Sequence, residues 1–377
     1  SVVDTEYILE VNGSDDPEDP PGFLVTQSAG GGPYQVDEWI DGEKMILKAW
    51  DGYWGPKPKL EKFTYLIIRD DTVGMEMLKK GDADFYWWPS ENLLKNVVNE
   101  KWEGCKINGL QPRLGGGAVY GIMLNHRNAE EGDWEEVFNN GEGSKHLKHA
   151  ISYAIPYQDI LDGPMAGFGK VPTGIGIWPG VVGYTPEPRY SFNMGKAKAA
   201  MAKSDYPDGL DLGKLAYPDW AASTMGAFAV LIQAQFKELG ITCEPYQTTD
   251  VAMWSDFRLG KISMMIGGTG VGRYMGPYAS GPAQFSRIGR ELGSNSTGIA
   301  DPDVDKYFDE SLEASTEWER NLAVHNAIYY LRENPAYVNL VDRLRTLPIR
   351  TWCKSDGWFP TIDSWVPDYY ERNYVKE

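Results

Sequence analysis

GGGPYQV at residues 30–36, EKMILKA at 43–49, WDGYWGPKPKL at 50–60, FTYLII at 63–68 and DADFYWW at 82–88 follow one another near the start of the chain. Their order carries the fold reading. The second and fourth pieces are short and rich in apolar, β-branched and aromatic residues, which favour strands. Between the fourth and the fifth lies a helix, with Thr72 as its expected cap, Met75, Leu78 and Lys79 in its body and Gly81 at its end. The fifth piece reads as a strand leaving that helix, delivering Tyr86, Trp87 and Trp88 at its end.

The same grammar recurs further on. LKKGDADF (78–85) and FRLGKISM (257–264) both run from helix through glycine to a short apolar stretch. Two α/β units of related topology are the expectation. Between them, AVYGIMLN (118–125) reads as a strand, preceded by the flexible RLGGG (113–117). SKHLKHAISYAI (144–155) places Leu147, Ile151 and Ala154 at i, i+4, i+7, an amphipathic helix. A long Gly/Pro-rich loop spans 163–190 and contains Trp178, and NMGKAKAAMA (193–202) is helical. Residues 223–239 form the most regular helix, with Ala227, Val230, Leu231, Ala234 and Phe236/Leu239 at helical spacing and Gly240 closing it. A strand at 241–246, a short helix at 254–260 and a buried strand at 261–267 follow, then paired helices over 305–333 and a strand at 337–341.

This order of motifs resembles extracytoplasmic solute-binding proteins of family 5, the peptide- and oligosaccharide-binding receptors of ABC importers. Gly30 to Tyr34 stands where members have Gly-Thr-Gly-Pro-Tyr, with Gly31 for the usual Thr, and DGYWG (51–55) is the aromatic turn that follows. The helix at 144–155, the DYPDG turn (205–209) and DPDVD (301–305) also have counterparts, with Pro156 where Asp is usual. The resemblance implies an α/β, two-lobed periplasmic-binding-protein fold, type II-like, with a hinged ligand cleft. Lobe I is expected over residues 1–116 and 344–377, lobe II over 117–343, with the first hinge near 115–120 and the return near 343. Members carry a longer N-terminal portion than the roughly thirty residues that precede the glycines here. The expectation is therefore a fragment, or a lobe I completed by another polypeptide. No signal peptide stands at Ser1, which for an exported family implies a mature or trimmed chain.

Composition bounds the function. A net charge of −18 disfavours nucleic acid, whose phosphates need Lys/Arg patches, and repels an anionic membrane surface. The 14 Trp and 22 Tyr supply both core and material for lining peptide or sugar clefts. Cys105, Cys243 and Cys353 form no CxxC pair, and three buried thiols are expected. His146 and His149 stand at i, i+3 with no carboxylate set beside them, so no metal is expected. GTGVG (268–272) is not a dinucleotide fingerprint, so no cofactor is expected either. NST (295–297) fits the glycosylation acceptor pattern.

Ligands of open α/β sheets bind beyond the carboxyl ends of strands. Two such ends face each other if the lobes do: Trp87 and Trp88 after the fifth piece, and GGTGVGRYMGPY (267–278) with Gly270, Arg273, Tyr274 and Tyr278. Tyr120 and Asn125 on the crossing strand complete the expected contacts. Peptide-binding members often carry an Asp where Arg273 stands; an arginine fork suits a carboxylate or paired hydroxyls instead and draws the ligand class toward sugars. The expected function is capture of a small peptide or oligosaccharide outside the cytoplasm, in the periplasm or anchored at a membrane, and delivery to an ABC permease. The chain is expected to be a monomer unless a second chain completes lobe I, and not an enzyme. The competing classes are a glycan-active hydrolase and an interaction protein that kept the fold without transport.

Overall fold

A computed structural model of the chain describes residues 30–86, 89–112, 118–129, 132–139, 141–172, 190–270, 285–286, 295, 297–354 and 375–376. The expected strand at 6–11, most of the 163–190 loop with Trp178, and most of the C-terminal tail lie outside them.

The first body opens with an antiparallel sheet, β1 (Tyr34–Ile40), β2 (Lys44–Ala49) and β3 (Lys62–Leu66). Tyr34 is buried, and its hydroxyl donates to the carbonyl of Leu60 at 2.8 Å, fixing the aromatic turn against the first strand. Helix α1 (Asp71–Lys80) is capped by Asp70 and not by Thr72: the Asp70 carboxylate accepts from the amides of Thr72 and Val73 at 2.8 and 3.1 Å. An aspartate preceding a helix satisfies its orphan donors while its charge faces the positive end of the helix dipole. Asp70→Ala should cost about 1 kcal/mol, read as a lower urea midpoint with an unchanged slope. Gly81 ends the helix at φ 88°, a left-handed conformation glycine adopts without strain.

Of the strand expected at 82–88, the described part, 82–86, makes a single bridge, Phe85 to Ile349, flanked by backbone hydrogen bonds from the Tyr86 amide to the Pro348 carbonyl at 3.2 Å and from the Arg350 amide to the Asp84 carbonyl at 2.8 Å. Side chains add to these ties: Asp71 accepts from the Tyr86 hydroxyl and from the amide of Ser90, both at 2.9 Å. The Tyr86 ring lies so close to α1 that a Cβ at Gly74 would stand 2.1 Å from it. Helix α2 (Glu91–Asn99) then packs on α1 through Met75, Leu78, Val97 and Trp102.

Strands β4 (Cys105–Pro112) and β5 (Ala118–Leu124) lead into the second body, whose helices include α3 (Glu142–Ala154) and α4 (Tyr157–Asp162). After β6 (Gly169–Lys170) come α5 (Met194–Met201), β7 (Leu210–Pro218), α6 (Ala227–Lys237), β8 (Ile241–Thr248), α7 (Asp250–Arg258) and β9 (Met264–Gly270). Helices α8 (Pro302–Glu313) and α9 (Glu317–Glu333) precede β10 (Tyr337–Arg350). The sheet order is β8-β7-β9-β5-β10-β4, with β6 beside β10. Strands β7, β8 and β9 are mutually parallel; β5 runs antiparallel to β9 and to β10.

Period-two alternation buries both faces of this sheet. Ile122, Leu124, Leu215, Met264 and Ile266 point into one core with α3, α5 and α6, while Met123, Ala216 and Met265 point into another with α7, α8 and α9. The result is a three-layer α/β/α unit. The buried stripe of α6 is Phe228, Ala229, Ile232 and Phe236; of the expected face, Phe236 and Leu239 are buried and Leu231 packs on the core, whereas Val230 is 57% exposed and Ala234 also faces outward.

One strand serves both bodies. β10 is nine residues longer than the stretch 337–341 expected from sequence, ending at Arg350. Its first part, Tyr337 to Asp342, pairs with β5, and its second, Leu344 to Arg350, pairs with β4. Arg343 falls at the join.

The three cysteines are free thiols, Cys243 and Cys353 buried and Cys105 half-buried. Burial pushes the Cys243 thiol up to about 11, with Asp211 acting in the same direction. Asn295 of the glycosylation pattern is buried and its amide donates to the carbonyl of Ile299 at 2.7 Å, a contact that a glycan on that nitrogen would break. His149 is committed to the carbonyl of Glu333 at 2.7 Å. Among the described residues no helix is long and apolar enough to cross a membrane.

Candidate functional site

The three parallel strands end on one edge, β7 at Pro218, β8 at Thr248 and β9 at Gly270. Because β5 is antiparallel, its start lies on the same edge: Ala118 is opposite Gly270, and Asp342 of β10 is opposite Val119. Carboxyl edges of this kind are where open α/β sheets hold ligands.

Two exposed side chains rise there. Trp220, two residues beyond β7, is 57% exposed, and its indole nitrogen donates to Asp250 of α7 at 3.4 Å. Val251, the next residue, is 80% exposed. The link joins the loop after β7 to the helix after β8, giving an aromatic face with a carboxylate at its rim.

Beside it the two bodies meet. The chain leaves Trp220 through a wide turn of π geometry, Ala222–Gly226, before α6 begins. Such turns are rare and recur at functional positions. This one aims the Thr224 hydroxyl at the first body, where it donates to Glu91 Oε2 at 3.0 Å. Glu91 opens α2 and is 2% exposed, so its carboxylate has no water to rely on. Its other oxygen pairs with Arg343 Nε at 2.5 Å. The Arg343 guanidinium also donates to the Tyr120 hydroxyl and to the carbonyl of Pro89, both at 3.2 Å, and lies 5.8 Å from the Tyr120 ring centre. Tyr120 in turn packs on Phe228 of α6, centroids 6.0 Å apart. Burial works against the Arg343 charge; Tyr120 and Glu91 outweigh it and hold the guanidinium above its usual range. A planar fork with several donors satisfies such a site where a lysine would not.

Of the residues anticipated from sequence, Gly270 stands on this edge at the end of β9. Tyr120 is there too, but it is 4% exposed and supports Arg343 from beneath instead of offering an open surface. Asn125 is a correction. It sits past the opposite end of β5, roughly 20 Å away at strand rise, fully buried. Its amide donates to the carbonyls of Phe257 and Ile262 at 2.7 and 2.8 Å and its oxygen accepts from the Arg127 amide at 3.1 Å, so it knits the bottom of the second body. Trp87, Trp88, Arg273, Tyr274 and Tyr278 lie outside the described residues.

Sequence reasoning missed Glu91, Arg343, Thr224, Trp220 and Asp250. Arg343 carried a signal, since a cation inside YVNLVDRL (337–344) must find a partner if the strand is buried. Glu91 read as an ordinary first-turn acid. Among the described residues no group of three or more His, Cys, Asp or Glu is arranged to hold a metal.

The sequence signature of the bacterial extracellular solute-binding proteins, family 5 (middle part), matches residues 5–288. The chain belongs to this family. A relative is the probable D,D-dipeptide-binding periplasmic protein DdpA of Escherichia coli, 25% identical over 353 residues, covering 92% of this chain and 63% of that protein. The chain thus spans less than two thirds of that relative's length. Among solved structures, the Helicobacter pylori periplasmic binding protein DppA in complex with the peptide STSA superposes with a TM-score of 0.80 at 21% identity, covering 100% of this chain and 68% of that one. AgaA of A. tumefaciens R10 in complex with agropinic acid gives 0.74 at 18% identity, covering 98% of this chain and 70% of that one. The family 5 fold of two α/β lobes is therefore the fold of this chain, with the edge just described turned toward the junction of its two bodies.

Proposed function

We propose that the chain is the capturing part of an extracytoplasmic receptor that binds a small peptide and presents it to the membrane permease of an ABC importer. The observation that carries this reading is the juxtaposition of Pro89 and Glu91 of the first body with the carboxyl edge of the second, closed by the Glu91–Thr224 contact. Lobe I takes residues 1–116 and 344–377 and lobe II takes 117–343. The hinge is the pair of crossings beside Arg343. The ligand lies along the edge against Trp220, with Gly270 allowing close backbone approach; Trp87, Trp88, Arg273, Tyr274 and Tyr278 are further ligand contacts expected from sequence alone.

Peptide is preferred over oligosaccharide because the relatives named above include binders of a D,D-dipeptide and of the peptide STSA. The mechanism is capture without bond cleavage.

Titration calorimetry with pooled di- to tetrapeptides and, separately, pooled oligosaccharides tests it. Saturable binding of a peptide that is recovered intact is the expected result. Binding confined to oligosaccharides, or turnover of a glycan, overturns it. Trp220→Ala should weaken the captured peptide roughly tenfold, from the lost aromatic contact area. Because the ring is more than half exposed, the melting temperature should stay within about 1 °C.

A further inference from the structure

Helix α9 buries one face and leaves the opposite face apolar as well. Ala323, Val324, Ala327, Ile328 and Leu331 meet the core. Opposite them Trp318, Leu322 and Tyr329 are exposed, Trp318 at 71%. With His325, also exposed, they stand at a four-three-four spacing. That spacing sets the side chains in one row along about 17 Å of helix, the repeat that keeps a second helix in contact over its whole length. Exposed apolar residues scattered singly need no account, but a row of them does. Beside the row runs a groove of about 340 Å³ between α8 and α9, lined by the buried Ala323 and by Leu322, Asn326, Glu310, Glu313 and Glu319. None of these residues belongs to the elements that build the carboxyl-edge site.

The charge around the row is one-sided. Residues 302–333 hold eight Asp/Glu and three Lys/Arg. Glu317 and Glu319 stand on either side of Trp318, each about 100° round the helix from it, whereas Arg320 stands about 200° round, away from the row. Glu319 is held by the cap of α9, accepting from the Thr316 amide and hydroxyl at 3.0 Å each, and Glu310 reaches Lys306 at 3.9 Å. Glu313 and Glu317 are exposed and have no cationic partner among the described residues. We propose that this face docks an amphipathic helix of another protein, with its apolar edge on Trp318, Leu322 and Tyr329 and its lysines or arginines against the glutamates. Tryptophan and tyrosine are the residues on which such contacts concentrate their energy, and the glutamates select the partner and speed its approach. A second copy of the chain is a poorer match, since a two-fold contact sets the same glutamates against each other. An anionic membrane surface is repelled for the same reason. The docking uses no residue of the ligand site and holds whichever solute is captured.

Fluorescence anisotropy on the full chain tests it, with a labelled synthetic helix of about 15 residues as the probe. The probe carries leucines in the four-three-four pattern and lysines elsewhere; its control carries glutamates in place of the lysines. Salt at about 0.15 M screens attraction beyond about 8 Å, so the net charge of the whole chain contributes little. The lysine probe should bind saturably, one per chain, and the glutamate control should not. Trp318→Ser combined with Leu322→Ser, which keeps every charge, should weaken binding on the order of tenfold or more. Glu313→Gln combined with Glu317→Gln, which keeps the row, should weaken it roughly threefold and flatten its salt dependence. All of these side chains are exposed, so melting temperatures should stay within about 2 °C of the wild type. Absence of saturable binding overturns the proposal. So does binding that the serine pair leaves unchanged, which is attraction to net charge alone. Sedimentation that shows a wild-type dimer dissociated by the serine pair also overturns it, since the row is then covered by a second copy.

Discussion

Arg343→Ala should lower the free energy of unfolding by about 3–5 kcal/mol, because it strands a buried carboxylate. Glu91 is 2% exposed and holds one oxygen 2.5 Å from Arg343 Nε, so removing the guanidinium leaves an uncompensated charge inside the protein. The loss is compounded by two further groups that lose their donor, the Tyr120 hydroxyl and the Pro89 carbonyl. Tyr120 is buried on Phe228, so a slack hydroxyl there loosens the head of α6 as well. Urea titration of the ligand-free protein measures the effect. The pairing itself is isolated by adding Glu91→Leu to the alanine variant: with both charges gone, most of the lost stability should return, since apolar replacements of a buried pair are often close to neutral. A single-variant loss below about 1 kcal/mol would mean that the pair behaves as a screened surface bridge.

How much of this was legible in the chain depends on distance along it. The strand at 118–125, the strand at 261–267, the amphipathic helix at 144–155 and the paired helices over 305–333 follow from local periodicity; the structure has them at Ala118–Leu124, Met264–Gly270, Glu142–Ala154, and Pro302–Glu313 with Glu317–Glu333. The α6 stripe was misread in part because AFAVLIQAQF (227–236) is apolar nearly all round, so spacing alone cannot say which side meets the sheet. The helix cap moved from Thr72 to Asp70 because two good capping residues stood within one turn. The strand at 337–341 continues through a charged pair, Asp342 and Arg343, that looked like its end; pairing with β4 carries it on to Arg350. Conversely, DADFYWW (82–88) has strand composition, but among its described residues pairing is confined to the Phe85–Ile349 bridge and its two flanking backbone bonds, while the Tyr86 hydroxyl turns back to Asp71. The site was least legible of all. Glu91 and Arg343 stand far apart in the chain and are unremarkable one by one; the sheet order, which lays β10 across β4 and β5, brings them together. Asn125 failed for the same reason in reverse. β5 ends at Leu124, one residue short of Asn125, and its direction places that end away from the carboxyl edge.

Lys148→Met should raise stability at pH 7, an unusual direction for a change in a core. Lys148 lies on α3 with none of its surface exposed, and its ammonium donates to the Asn139 carbonyl at 2.9 Å. Burial pushes its pKa down to about 8; Asp301 draws it up and Lys145 pushes it down further. An unfolded lysine titrates near 10.4, so the gap corresponds to roughly 3 kcal/mol against folding while both states are charged. The sign follows from proton counts. Below pH 8 folded and unfolded forms both carry the proton, and the penalty is present in full. Between pH 8 and the unfolded value the unfolded chain keeps a proton the folded chain has released, so stability rises with pH. Methionine fills similar volume without the charge but leaves the Asn139 carbonyl short of a donor, which costs about 1 kcal/mol. The variant should therefore exceed the wild type by about 2 kcal/mol at pH 7, and this advantage should vanish by about pH 10 as the wild type sheds its proton. Comparing the two proteins at each pH cancels the tyrosines and other groups that titrate in the same range. Urea midpoints at pH 7, 8.5 and 10 give the difference directly, and a difference independent of pH would show that Lys148 finds more compensation inside the fold than its carbonyl partner supplies.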